Sequence, residues 1–171
     1  GYDLATFYPG RGPIEAVSQD IKLKDTDVAW RCNLVSVSDG ILKDYSAGQI
    51  SKEAAAELIA ALKKEFDSDK LSFHCGVSYR NLLVLHGKEF SDKVDYFKPD
   101  SSQDEPVSQL RLKALAPEAE HTVRFLDDLI AKASAFLESH PVNKKLAVKA
   151  NMIWPWSPGR RPDFTPFSKK Y

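Results

Sequence analysis

The sequence lacks the features that mark membrane, secreted and nucleic-acid-binding proteins. No apolar run approaches the length that spans a bilayer, and no basic-then-apolar leader opens the chain, so we expect a cytoplasmic protein. Lys plus Arg and Asp plus Glu number 24 each, which gives a formal net charge of zero, and no long basic cluster is present. We therefore expect no nucleic-acid or membrane partner, and any anionic ligand should be small and held by a few placed side chains.

Cysteine is also scarce. Cys32 and Cys75 are the only two, and each lies in an apolar run typical of a β-strand. They are too far apart in sequence to match the spacing of a zinc site. We expect two buried thiols, with neither a structural disulfide nor a metal role.

Recognisable catalytic motifs are missing as well. The chain has no Gly-x-Ser-x-Gly elbow, no P-loop, no Gly-x-Gly-x-x-Gly fingerprint and no His-Glu-x-x-His pair. We interpret the two strand histidines, His74 and His86, as hydrogen-bonded core residues. The sequence predicts no catalytic residue and no metal ligand, because its histidines are scattered without carboxylates at ligand spacing. The four histidines are His74, His86, His121 and His140.

What remains is an ordinary globular composition, 43% apolar and 28% charged, over 171 residues, which is the size of one domain. Asp39-Gly40 predicts a tight hairpin turn. Apolar periodicity predicts strands over 27–38, 41–45, 71–77 and 81–86, an extended edge segment over 150–163, and helices over 51–66 and 117–139. We expect an α+β (α/β layered) domain with a single mixed sheet of about five strands and two long helices packed on it.

Two further segments are less regular. Pro13 suits the first turn of a short helix whose apolar side would be Ile14, Val17 and Ile21. The two glycines around Arg11 permit unusual backbone angles, so this helix start is a candidate anion site. Residues 90–107 are polar, acidic and interrupted by prolines, and we interpret them as a mobile excursion.

The candidate binding residues are arginines and asparagines beside turns and strand ends. Arg31 and Asn33 share one face of a predicted strand, where a buried guanidinium needs a partner, either a ligand or an internal carboxylate. Arg80 lies at a loop beside a strand end. The stretch 150–163 ends in two adjacent arginines and is either an anion clamp or a solvated loop held by its tryptophans. The candidate substrate-binding set is Arg11, Arg31, Asn33, Arg80, Asn143, Asn151, Arg160 and Arg161.

Five ordered motifs carry a resemblance to a known family. They are Gly-Arg-Gly-Pro-Ile-Glu-Ala (10–16), Asp-Val-Ala-Trp-Arg-Cys-Asn-Leu (27–34), Gly-Val-Ser-Tyr-Arg-Asn-Leu-Leu-Val (76–84), His-Pro-Val-Asn (140–143) and Ala-Asn-Met-Ile-Trp-Pro-Trp-Ser-Pro-Gly (150–159). In this order they resemble the cofactor-independent, that is 2,3-bisphosphoglycerate-independent, phosphoglycerate mutases of the archaeal type and their bacterial relatives. That family belongs to the alkaline-phosphatase-like metalloenzyme superfamily.

The resemblance implies that residues 1–171 form one substrate-binding insert domain, with 1–8 and 164–171 as connections to a metal-binding catalytic domain. In the family, a serine nucleophile and two divalent ions, usually manganese, serve the conversion of 3-phosphoglycerate to 2-phosphoglycerate in glycolysis. These groups lie outside the insert, so this chain is expected to hold no cofactor and to be inactive alone. Its implied partners are a small phosphorylated acid and the parent's own catalytic domain. The residues at matching motif positions are Arg11, Arg31, Asn33, Arg80 and Arg160.

Two alternatives stay open at this point. Some bacterial members resemble proposed homoserine kinases, whose insert motifs are not clearly separable from those of the mutases. A freestanding protein-interaction module that docks through Trp154 and Trp156 is the other possibility. One departure from the family pattern concerns the connection after Asn143, which is shorter than usual and affects the expected geometry near Asn151.

Overall fold

The computed structural model describes residues 11–161. In chain order, its main elements are α1 (Arg11–Ser18), β1 (Val28–Ser38), β2 (Ile41–Asp44), α2 (Lys52–Phe66), β3 (Leu71–Val77), β4 (Arg80–Leu85), β5 (Val94–Asp95), β6 (Lys113–Ala114), α3 (Glu120–Glu138), α4 (Pro141–Lys145) and β7 (Met152–Arg160). Short 3₁₀ turns precede β6 and α3. The predicted strands and both predicted long helices are present, with bounds within a few residues of those expected.

A five-stranded sheet organises the described residues around β1. Strand β4 pairs with one edge of β1, β7 pairs with the other, β3 lies beyond β4, and β2 pairs with the last residues of β1. The hairpin turn at Asp39 and Gly40 has positive φ at both residues (53° and 74°), as an Asp-Gly turn allows. The predicted α+β class and five-stranded sheet are confirmed. All its pairings are antiparallel, which refines the mixed sheet expected from the sequence.

The alternating pattern of β1 divides the domain into two faces, as the sequence predicts. On one face, Val28, Trp30, Cys32 and Leu34 are buried in the main core beneath α2 and α3. The opposite face, which we call the outward face, carries the other four residues of the pattern: Ala29, Arg31, Asn33 and Val35. The outward face therefore carries polar side chains in the middle of an otherwise buried strand.

The two long helices cover the core face, and local signals set their ends. The Ser51 side chain accepts a hydrogen bond from the Ala54 N–H (3.1 Å) and caps α2, as predicted. Helix α3 follows a 3₁₀ turn that begins at Pro117, and it ends before His140-Pro141 because a proline disfavours helical geometry in the residue before it. Apolar residues of both helices join the same core.

Helix α1 lies on the outward face, but its apolar pattern was interpreted wrongly. Ile14 and Val17 are 40% and 47% exposed, and Ile21 follows the helix rather than belonging to it. The buried residues of α1 are Gly12, Pro13 and Ala16. A Cβ on Gly12 would overlap the backbone of Ala29 in β1, so this glycine is required by close packing.

Residues 90–107, interpreted from the sequence as a mobile excursion, contain regular structure that continues to residue 114. Strands β5 and β6 pair with each other. The Leu42 N–H donates to the Glu105 carbonyl (3.0 Å), and the Asp104 N–H donates to the Leu42 carbonyl (2.7 Å), so the segment continues the sheet beyond β2. The Trp154 indole N–H donates to the Phe97 carbonyl (2.9 Å). The polar composition of this segment concealed backbone pairing with strands far away in sequence.

Two further expectations concern membranes and cysteines. Over residues 11–161, the structure contains no helix long and apolar enough to cross a membrane. Both thiols are free, and Cys32 is buried, as predicted. Cys75 is exposed, contrary to prediction, and it lies in the edge strand β3 where the pairing with β4 is irregular between His74 and Val77.

Candidate functional site: an arginine cleft on the outward face

The polar residues of β1 lie between two small apolar clusters on the outward face. One cluster contains Ala16 of α1 with Ala29 and Leu82 of the sheet. The other contains Val35 and Trp154 and is covered by residues 97–110. Neither cluster covers the middle of the outward face. Arg31 and Asn33 therefore lie between the two clusters, and a cleft remains over their side chains.

Trp156 of β7 contacts both of these polar side chains. It lies opposite Arg31 in the β1–β7 pairing, and the Arg31 guanidinium lies 4.6 Å from the centre of its ring. Its indole N–H donates to Asn33 Oδ1 (3.0 Å). Asn33 is only 3% exposed, and this bond fixes the orientation of its amide. Its Nδ2 has no hydrogen-bond partner among residues 11–161 and can therefore donate to a ligand.

Arg31 is an enclosed guanidinium with few polar contacts. Its side chain is 16% exposed and lies 3.7 Å from Glu15 Oε1, and no hydrogen bond from its N–H groups joins it to any of the residues described. Burial lowers the pKa of Arg31, and the positive charges of Arg11 and Arg80 act in the same direction, against Glu15 and Asp100. The guanidinium is still charged at neutral pH, so an added anion would be stabilised there.

Arg80 and the adjoining loops complete a cleft next to Arg31. Arg80 is exposed at the start of β4, and its guanidinium lies 5.3 Å from the ring of Tyr79. The cleft has a volume of about 110 Å³ and is lined by Arg31, Asn33, Tyr45, Tyr79, Arg80, Pro99, Asp100 and Trp156. A second cleft of about 120 Å³ continues on the α1 side and shares Arg31 and Arg80.

Arg11 reaches the same region from the start of α1. Its backbone N–H donates to the Ser157 hydroxyl (2.7 Å), which attaches the helix to β7. Its charge is close enough to lower the pKa of Arg31. The structure thus brings together Arg31, Asn33 and Arg80 from the predicted set, whereas Arg11 lines neither cleft and acts on Arg31 only through its charge.

The two C-terminal arginines lie elsewhere. An extra residue in β7 interrupts the pairing between Ala29 and Arg31, where Ser157 has a positive φ of 53°. This bulge turns Arg160 to the core face, opposite Val28. Because Val28 precedes Arg31 by three residues and Asn33 by five, Arg160 also lies roughly 10 to 16 Å along the strand from these two cleft residues.

Both arginines at that end have partners within the domain. Arg160 donates from Nη1 to the Thr26 carbonyl and from Nη2 to the Phe90 carbonyl, both at 2.9 Å. The exposed Arg161 forms an ion pair with Asp25 at 2.7 Å. The proposed anion clamp at residues 160–161 therefore does not coincide with the cleft.

The two predicted asparagines of the C-terminal region hold backbone together. Asn143 is fully buried, and its side chain bonds to the backbone of Leu137 and Ala150. The Asn151 amide bonds to both the N–H and the carbonyl of Val37 (2.8 Å each), so it extends the β1–β7 pairing by one residue. Neither side chain lines the cleft.

Sequence reasoning missed several residues of the site. Glu15, Tyr45, Tyr79 and Asp100 come from four different segments, so no local pattern links them. Trp156 was interpreted, together with Trp154, as an anchor or a docking residue. Trp154 is in fact buried, with 6% of its surface exposed. With Trp154 packed against residues 97–110 and Trp156 beneath Arg31, the two do not form the exposed aromatic patch that a docking module would need.

These observations define the domain as an α+β layer with an arginine-lined cleft on the face away from its main core. The family model described as 2,3-bisphosphoglycerate-independent phosphoglycerate mutase matches residues 1–143. The chain therefore belongs to the family of 2,3-bisphosphoglycerate-independent phosphoglycerate mutases, as the five motifs indicated.

Named relatives and solved structures agree. The 2,3-bisphosphoglycerate-independent phosphoglycerate mutase of Methanosarcina barkeri is 39% identical over the whole chain, and that of Methanocaldococcus jannaschii is 35% identical. The cofactor-independent phosphoglycerate mutase of Thermoplasma acidophilum aligns with 95% of the chain at a TM-score of 0.76 and 29% identity. A Pyrococcus horikoshii protein shares the fold at a TM-score of 0.64 and 17% identity, over 93% of this chain and 34% of its own length. The chain spans 42% of the Methanosarcina protein, 43% of the Methanocaldococcus protein and 44% of the Thermoplasma structure.

Proposed function

We propose that this chain is the substrate-binding part of a longer cofactor-independent phosphoglycerate mutase, and that its arginine cleft holds carboxylate or phosphate oxygens of phosphoglycerate. The observation that supports this most directly is the state of Arg31. Its guanidinium is enclosed and stacked on Trp156, yet its N–H groups have no hydrogen-bond acceptor among residues 11–161. These donors are held in place by the indole ring and open to the cleft, an arrangement suited to an anionic ligand that supplies the acceptors.

The charges around the cleft favour an anion that also carries a hydroxyl group. Arg11 and Arg80 add positive potential beside Arg31, and the planar guanidinium suits the paired oxygens of a carboxylate or phosphate. Asn33 Nδ2 is a further donor on the cleft wall. Asp100 lines the same cleft and is a suitable acceptor for a substrate hydroxyl.

The size of the cleft indicates that it binds only part of the substrate. Its volume of about 110 Å³ is well below the roughly 300 Å³ at which small-molecule pockets usually begin. One anionic group fits such a space, and the remaining contacts would come from the rest of the longer protein. This agrees with a chain that corresponds to 42% of its Methanosarcina relative.

The metal ions implied by the family resemblance do not fit the residues of this domain. Among residues 11–161, no three His, Cys, Asp or Glu side chains come together to form a metal site. We therefore derive no catalytic step from these residues beyond binding and orientation. In this proposal, the serine nucleophile and the two divalent ions, expected to be manganese, belong to the rest of the parent protein.

The test uses the full-length protein supplied with Mn²⁺ and 3-phosphoglycerate. Arg31→Ala should lower kcat/KM by about 100-fold, because one or two charge-assisted hydrogen bonds of about 1.5–3 kcal/mol each are lost. Arg111→Ala is the matched control, since Arg111 is exposed, pairs with Asp127 at 3.0 Å and lies outside the cleft. Unchanged kinetics in Arg31→Ala would remove this residue from the site.

Two further arms of the assay test the other parts of the proposal. The 171-residue chain alone should show no turnover with Mn²⁺, and turnover would refute the division of roles. Supplying the full-length protein with homoserine and ATP instead of 3-phosphoglycerate tests the kinase alternative. Phosphorylation of homoserine without isomerisation of phosphoglycerate would replace the mutase proposal.

A further inference from the structure

A second polar cluster lies on the outward face, formed by the residue before β1, the residue after β4 and two residues of β3, and the arginine cleft does not use it. Asp27 Oδ1 lies 2.9 Å from His86 Nδ1, and His86 Nε2 lies 2.9 Å from Ser72 Oγ. On its other side, Ser72 Oγ lies 2.8 Å from His74 Nε2. Three segments distant in sequence thus contribute to one continuous hydrogen-bonded chain.

The buried end of the chain fixes the orientation of His86. The Asp27 side chain is 3% exposed, and its second oxygen accepts the Lys24 N–H (2.9 Å), so the carboxylate is held on both sides. A carboxylate only accepts hydrogen bonds, so the proton of a neutral His86 lies on Nδ1. The lone pair of His86 Nε2 then points at Ser72. Carboxylates commonly hold metal-binding imidazoles from behind in this way.

His74 Nε2 lies within hydrogen-bonding distance of the same hydroxyl. His74 and Ser72 lie two residues apart on one face of the edge strand β3, while His86 directly follows β4. Burial, with the nearby charge of Lys63, lowers the pKa of His74, which favours the neutral imidazole. Ser72 donates its one hydroxyl proton to His86 Nε2, so in the free protein His74 carries its proton on Nε2 and donates to Ser72 Oγ. Coordination of an ion by His74 Nε2 would place that proton on Nδ1.

The order carboxylate, imidazole, hydroxyl is also found in serine hydrolases, but this site lacks the backbone N–H groups that form their oxyanion hole. Ser72 pairs with Val84 inside the ladder, and the N–H of the following residue, Phe73, donates to Asp67 Oδ1 (2.8 Å). Neither backbone N–H is available for an oxyanion. Activation of Ser72 as a nucleophile is therefore poorly supported.

We propose instead that His74 and His86 form a binding site for a divalent transition-metal ion of the zinc type, each coordinating through Nε2. Imidazole nitrogen is a preferred ligand of these ions. Ser72 Oγ or water would complete the coordination, and Asp27 would hold His86 in position. The His86 side chain is 31% exposed, so an ion can enter from solvent. This proposal does not depend on the proposed function of the arginine cleft.

The probe is Zn²⁺ alone, because it is redox-inactive and leaves NMR signals sharp. Cys75 is exposed next to His74 in sequence, so all proteins carry Cys75→Ser to remove a competing thiol. On titration of the 171-residue chain with Zn²⁺, the imidazole nitrogen signals of His74 and His86 should shift together and saturate at one equivalent. The signals of His121 and His140 should stay unchanged.

Variants decide whether the two histidines act as a pair. His74→Gln and His86→Gln should each abolish the single Zn²⁺ equivalent measured by calorimetry, whereas His121→Gln should retain it. Asp27→Asn should weaken binding by about tenfold or more, the usual effect of losing a carboxylate behind a metal-binding imidazole. Zn²⁺ binding that survives both single His variants, or the absence of any shift at His74 and His86, would overturn the proposal.

Discussion

Arg160 lies at one end of the β1–β7 pairing and Arg31 lies near its middle, and the two arginines have opposite surroundings. Arg160 lies on the core face and donates to two backbone carbonyls, so its hydrogen bonds are internal to the domain. Arg31 lies on the outward face, stacked on an indole ring, with only a 3.7 Å ion pair to Glu15. The comparison teaches that burial alone does not distinguish a structural arginine from a candidate ligand-binding one. The partners of its N–H groups make that distinction.

The largest effect is expected on the free energy of unfolding when Arg160 is replaced. Arg160→Ala leaves the carbonyls of Thr26 and Phe90 without their donors, so the free energy of unfolding should fall by about 2 kcal/mol. Arg31→Ala should change it by less than about 1 kcal/mol, because Arg31 makes no comparable bond. Urea unfolding of the 171-residue chain measures both values. Equal losses in the two variants would break the distinction.

A smaller effect is expected from the support beneath Arg31. Trp156→Leu removes both the ring face under the guanidinium and the N–H bonded to Asn33, so kcat/KM of the full-length protein should fall by about tenfold. Trp156→Phe keeps a ring face and loses only the N–H, and it should retain most of the activity. If the two variants are equally impaired while both remain folded, stacking does not position Arg31.

The smallest effect is expected at Arg161. Arg161 and Asp25 are both exposed, with side chains 50% and 83% accessible, and exposed ion pairs contribute little to stability. Arg161→Ala should leave both the urea midpoint and kcat/KM within experimental error of the unmodified protein. A loss of activity comparable to that of Arg31→Ala would place residue 161 in the site after all.

Local patterns predicted most of the fold correctly. The alternation of β1, the Asp39-Gly40 turn and the Ser51 cap each depend on residues a few positions apart, where sequence reports geometry directly. The same alternation correctly placed Arg31 beside Asn33. The interpretation of α1 was wrong because the feature that orients it, the contact of Gly12 with the Ala29 backbone, joins residues 17 positions apart.

The rest of the site depends on register and long-range contact. Period-two counting along β7 would place Arg160 on the same face as Trp156, and a single extra residue reverses that result. The bond between Asp27 and His86 joins residues 59 positions apart, so the histidines were taken to lack carboxylate neighbours. Neither the extra residue in β7 nor the bond between Asp27 and His86 can be predicted from the spacing of neighbouring residues.

The bulge at Ser157 has a consequence for engineering this domain. Its hydroxyl anchors α1 through the Arg11 N–H, and its extra backbone unit decides the side of the sheet on which every later residue of β7 emerges. Deleting one residue there would move Pro158, Gly159 and Arg160 to the opposite faces of the sheet, so the Arg160 guanidinium would turn to the outward face and the carbonyls of Thr26 and Phe90 would lose their donors. In this strand, the number of residues therefore decides which guanidinium faces the cleft.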